Sequence, residues 1–124
     1  MSAPPTIDDI RTARDSALDA LSDAVTTIGA EIAQTTKTGP YLDQLTKRYQ
    51  DLMNERALIR AAATDAVLAL PFVIAAVAKL NELSSNMKTT AQELPAATNK
   101  LTQAAAVLSL GQQFSDVIAN AQKA

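Results

Sequence analysis

The chain has 124 residues, of which 48% are hydrophobic and 3% are aromatic, and its formal net charge is -2. This length and apolar content fit one domain with one core over residues 1–124, in which residues 1–5 are expected to form a short flexible N-terminal tail. The 11 basic residues are fewer than the 13 acidic ones, which argues against nucleic-acid binding. Without Cys or His, disulfides, thiolate metal sites and histidine general bases are excluded.

The apolar content consists mainly of Ala, Leu, Ile and Val, and Gly and Pro are scarce. This composition favours helices, because strands draw on aromatic residues and sheets need frequent turns. The apolar residues recur at steps of three and four along most of the chain, which is the spacing of one helical face. The sequence therefore predicts an all-α fold, an antiparallel four-helix bundle.

The first predicted helix begins at Thr6, which supplies an N-cap, and Asp8 and Asp9 suit the positive end of the helix dipole. After this helix, Gly39 is expected to adopt a left-handed or cap geometry, and Pro40 suits the first turn of the next helix. A short connection makes the first two helices antiparallel neighbours. The apolar stripe of the first helix consists of Ile7, Ile10, Leu18, Leu21, Val25, Ile28 and Ile32.

A second apolar stripe continues to Leu70 and predicts a helix of about thirty residues. Pro71 lacks a backbone donor, so the second and third helices are either separate or form one helix kinked at Pro71. The third helix is predicted over residues 71–92. A fourth helix follows Pro95, and Gly111 is expected to weaken it, bend it or divide it into two pieces.

Residues 66–78 contain no charge and are apolar on every helical face. A membrane span needs about twenty such residues, and extending this segment in either direction brings in charged side chains. Two interpretations remain: the segment is the most buried part of the bundle, which is favoured, or it is an apolar surface for a protein partner, self-association or a bilayer. The residues of that surface would be Leu70, Phe72, Val73, Ile74 and Val77.

Several charged residues suggest a polar or ionic cluster. The aspartates of the first helix are spaced four apart, and an arginine of the second helix falls in register with Leu52 and Ile59. A cation site or an anion site is conceivable, but a solvated face and a register-setting ion pair are favoured, because no calcium loop or Gly-rich loop is present. The cluster consists of Asp15, Asp19, Asp23, Tyr49, Arg56 and Arg60.

No nucleophile stands beside a base, and no phosphate-binding or dinucleotide-binding loop is present, so neither an enzyme nor a cofactor is expected. The leading hypothesis is a non-enzymatic bundle that acts through protein contacts. The alternatives are a peripheral membrane protein that uses residues 66–78 and a bundle that binds a small ligand. The N-terminus has no signal-peptide pattern, so a soluble, cytoplasmic protein is expected, with leaderless secretion left open. The Ala-, Thr- and Gln-rich helices resemble those of bacterial helical bundles and secreted helical factors in general character, and such helices also occur in phage structural proteins and receptor sensor bundles.

Overall fold

The structure, a computed structural model, describes residues 6–61, 67 and 73–123. Its described residues form four long helices that pack as a bundle, which confirms the predicted all-α fold. The N-terminal tail, residues 1–5, lies outside the described residues. The helices are α1 (Ile7–Gln34), α2 (Pro40–Ala61), α3 (Val73–Glu93) and α4 (Lys100–Lys123), and a 3₁₀ turn at Leu94–Ala96 follows α3.

The start of α1 and the connection to α2 follow from local chemistry. The backbone N–H of Thr6 donates to Asp9 Oδ2 at 2.8 Å, and the N–H of Asp9 donates back to Thr6 Oγ1 at 3.4 Å, which completes a capping box. Gly39 has φ of +150°, a conformation that a side chain disfavours, and Pro40 is the first residue of α2. The predictions for Thr6, Gly39 and Pro40 are confirmed.

The four helices occupy the corners of a square in the order α1, α2, α4, α3. Both α1 and α4 pack against α2 and against α3, and they also approach each other across the core. Among the described residues, α2 and α3 do not contact each other, which makes them diagonal neighbours.

Consecutive helices are antiparallel, whereas the pairs α1/α3 and α2/α4 run parallel. In the first pair, Asp23 lies across a cleft from Lys88, and further along both helices Gln34 lies near Pro95. Because α3 is parallel to α1 and α2 is antiparallel to it, α2 and α3 point in opposite directions. They are separate helices, so the alternative of one rod kinked at Pro71 is wrong. Pro71 itself lies outside the described residues.

The core contains more small side chains than the predicted stripes suggest. In α1, four alanines are buried together with Ile10, Leu21 and Ile28, and small residues of this kind let helices approach closely. The four buried alanines are Ala13, Ala17, Ala20 and Ala24.

The helix α4 continues through Gly111 without a break, which corrects the expected division at that residue. Gly111 is buried against other helices, so tertiary packing outweighs its poor helix propensity.

Candidate functional site

The apolar segment divides into buried and exposed residues. Val67 is completely buried and Val77 is 5% exposed, while Val73 is half-buried and packs against the core. Ile74, in contrast, is 70% exposed, so the expectation of complete burial is wrong at this residue. The physical reason is that a helix at a corner of a four-helix bundle always turns one face to solvent. Two other residues of the predicted surface, Leu70 and Phe72, lie outside the described residues.

A second exposed apolar residue lies in α2, before residues 62–72 in the sequence. Leu58, one turn before the end of α2, is 60% exposed. Among the described residues, Ile74 and Leu58 are the large apolar side chains with the greatest exposure. We call Leu58 and Ile74 the apolar pair. In the sequence they stand on either side of the predominantly apolar residues 62–72.

The most deeply buried charged side chain of the described residues is Glu55 on α2, which is 4% exposed. Ser115 Oγ on α4 donates a hydrogen bond of 2.6 Å to Glu55 Oε1. A carboxylate that is buried in this way needs such donors, because loss of hydration is costly. The Glu55–Ser115 bond therefore fixes α2 against α4 at this level of the bundle.

Gly111 provides the space that Glu55 occupies. A Cβ atom at Gly111 would lie 3.1 Å from Glu55 Cγ and 3.4 Å from the Cε atom of Met87 on α3. It would also lie 3.6 Å from a Cδ atom of Leu21 on α1. All four helices thus meet around this glycine, and the carboxylate of Glu55 lies in the same layer.

The predicted Arg56 is half-buried, and its Nε atom is buried with no hydrogen-bond partner among the described residues. Arg60, one turn later, is exposed. The predicted cluster includes Arg56 and not Glu55, although both lie in register with Leu52 and Ile59. Glu55 follows Leu52 by three positions and Arg56 follows it by four, so periodicity alone gives no means of choosing between them.

The aspartate row of α1 does not form one site with these residues. Asp15 is exposed and forms an ion pair of 3.2 Å with its neighbour Arg14. Asp19 and Asp23 are exposed and line a cleft of about 290 Å³ between α1 and α3, together with Lys88. The row therefore lies along α1 at its boundary with α3.

Tyr49 lies on the boundary between α1 and α2 instead. A Cβ atom at Gly29 would lie 3.3 Å from Tyr49 Cε2, so the half-buried ring packs on the backbone of α1. Tyr49 is therefore a packing residue of the α1/α2 boundary. The α1/α3 cleft that holds Asp19 and Asp23 does not include Tyr49 or Arg56.

The other tyrosine, Tyr41, lies at the start of α2 and donates a hydrogen bond of 3.1 Å to Glu31 Oε1 on α1. Partial burial raises the pKa of the Tyr41 phenol, and the hydrogen bond to Glu31 and the negative charge of Glu31 raise it further. This pair ties the end of α1 to the start of α2.

Within residues 6–61 and 73–123, no group of three or more acidic side chains is arranged to hold a metal ion. None of the helices in the part of the chain that the structure describes has both the length and the hydropathy of a membrane span. The chain matches no protein-family model, and comparisons with curated proteins and with solved structures give no significant match.

Proposed function

We propose that this protein is a non-enzymatic helical bundle that acts through protein contacts, and that a second copy of the chain is the partner that its apolar surface suits best. The observation that carries the proposal is the exposure of the apolar pair, Leu58 and Ile74. Full burial of one such side chain contributes about 1.5–3 kcal/mol relative to exposure in water. A contact that covers these side chains therefore gains free energy that the isolated bundle does not have.

A second copy suits this surface because apolar side chains need no complementary charge on the partner. In a two-fold symmetric dimer, the same patch of each protomer meets its counterpart. The formal net charge of -2 also gives only weak repulsion between two copies. Self-association is therefore the form of protein contact to test first.

Substitutions in the apolar pair test the proposal. Leu58→Glu and Ile74→Glu alter exposed positions, so the fold is expected to persist while the mass measured by light scattering falls to that of a monomer. Gln50→Glu on α2 and Ser85→Glu on α3 add the same charge at other exposed positions and serve as matched controls. If all four variants have the same mass as the unmodified chain, the apolar pair is not the contact surface.

A bilayer is the alternative partner for the same residues, since Ile74 in the first turn of α3 is an apolar side chain near one end of the bundle. Flotation with phospholipid vesicles at low and high salt distinguishes the two partners. Under our proposal the protein stays at the bottom of the gradient. Flotation that Ile74→Asp abolishes would replace the protein partner with a membrane.

A further inference from the structure

A cleft between the parallel helices α2 and α4 has a different character from the apolar surface. Its volume is about 440 Å³, which is within the range of small-ligand sites. Two of its six described lining residues are cationic and none is acidic, whereas the α1/α3 cleft holds two carboxylates beside one lysine. The lining residues of the α2/α4 cleft are Gln44, Lys47, Arg48, Leu101, Thr102 and Ala105.

Arg48 has an unused hydrogen-bonding edge. Asp51 Oδ2 lies 3.5 Å from Arg48 Nη1, and the side chain of Arg48 is 30% exposed. Its Nε atom is buried, with no hydrogen-bond partner among the described residues. The Nε and Nη2 atoms of a guanidinium form a planar fork that matches the two oxygens of a carboxylate. The side chain of Arg48 lines the cleft, so an anion bound there lies beside this guanidinium.

The start of α4 adds positive potential to the same cleft. Asn99 Oδ1 accepts a hydrogen bond of 3.1 Å from the backbone N–H of Thr102, which places Thr102 in the first turn of α4. This end of a helix carries the positive pole of the macrodipole. Leu101 and Ala105, by contrast, give the cleft an apolar wall. The cleft therefore combines cationic groups with a surface for a short hydrocarbon chain.

We infer that the α2/α4 cleft binds a small organic anion consisting of a carboxylate and a short aliphatic chain. The carboxylate bonds to Arg48 and lies near Lys47, while the aliphatic chain packs against Leu101 and Ala105. Asp51 competes for Arg48 and limits the affinity. This site is independent of the apolar pair and of the proposed self-association.

Hexanoate, titrated at constant ionic strength and followed by amide chemical shifts, tests the inference on the full chain. Saturable shifts are expected at Gln44, Thr102 and Ala105, with a Kd on the order of 1 mM. Inorganic phosphate supplies the charge alone and hexanol the aliphatic chain alone, and each is expected to bind at least about tenfold more weakly. Phosphate that binds as tightly as hexanoate would overturn the assignment of an aliphatic ligand.

Matched variants separate this cleft from general anion binding. Arg48→Gln is expected to weaken hexanoate binding by about tenfold, because it removes a charge-assisted bidentate contact. Asp51→Asn is expected to strengthen binding, because it frees Arg48. Lys88→Gln removes a cation from the acidic α1/α3 cleft and should leave the Kd unchanged. The inference is overturned if the shifts do not saturate, if they map elsewhere, or if Arg48→Gln and Lys88→Gln have equal effects.

Discussion

Among the residues that the structure describes, the Ser115 hydroxyl is the one hydrogen-bond donor to the Glu55 carboxylate, and removing it takes that donor away. Ser115→Ala is expected to lower the free energy of unfolding by about 1–3 kcal/mol, which urea denaturation followed by circular dichroism measures. Ser109→Ala, at an exposed position of the same helix, is the control. Adding Glu55→Leu to Ser115→Ala should restore stability, because both polar groups are then gone. Equal effects of Ser115→Ala and Ser109→Ala would contradict this role of Glu55.

Two opposing effects determine how a substitution of Gly111, beside the Glu55–Ser115 hydrogen bond, changes stability. Replacing a mid-helix Gly with Ala improves helix propensity by about 1 kcal/mol, but overpacking a core typically costs about 1–3 kcal/mol. The added Cβ of Gly111→Ala would lie 3.1 Å from Glu55 Cγ, and Ser115 restrains Glu55 from moving away. We therefore expect Gly111→Ala to be destabilising in thermal melts. In a Glu55→Ala background the same change should become stabilising, and an unchanged sign would refute the packing explanation.

The phenol of Tyr41 gives a prediction about pH. Because the folded state raises the pKa of Tyr41, its neutral form contributes stability that is fully present below the ordinary pKa of 10.0 and is lost as the pH rises through the raised value. Tyrosinate absorbance in a Tyr49→Phe background reports Tyr41 alone. Glu31→Gln is expected to move the pKa of Tyr41 back toward its ordinary value, and a titration curve that Glu31→Gln leaves unchanged would show that the bond does not form.

The connection between α1 and α2 depends on one backbone conformation. The φ of +150° at Gly39 is unfavourable for a residue with a side chain, although a Cβ there would meet no atom within 4 Å. Gly39→Ala is therefore expected to lower the free energy of unfolding by about 1–3 kcal/mol through backbone strain alone. Thr38→Ala, at the preceding exposed position, is the control. Denaturant titration that finds no difference between the two variants would contradict the strain.

The parts of the fold that could be predicted from the sequence are those that neighbouring residues determine. The cap at Thr6 and the turn at Gly39 and Pro40 involve neighbouring residues, so composition and spacing reveal them. The continuity of α4 through Gly111 was not predictable, because contacts from the other three helices decide it. The burial of Glu55 was not predictable either, since its donor, Ser115, lies sixty positions away.

The order of the helices around the bundle is likewise decided by contacts between residues that are far apart in the sequence. Periodicity shows that α2 and α3 each have an apolar face, but it does not show which helices those faces meet. In the structure both faces turn to α1 and α4, and α2 and α3 are diagonal. Because α2 and α3 are antiparallel, Leu58 near the end of α2 and Ile74 in the first turn of α3 lie toward the same end of the bundle. The proposed protein contact belongs to this end of the molecule.

The absolute mass of the unmodified chain in solution, measured by light scattering over about a hundredfold range of concentration, decides whether the protein self-associates. We predict a mass that rises with concentration from that of the 13.1 kDa monomer toward that of a dimer. The increase should disappear in Leu58→Glu and in Ile74→Glu but persist in Gln50→Glu and Ser85→Glu. A monomer at every concentration would contradict self-association through the apolar pair.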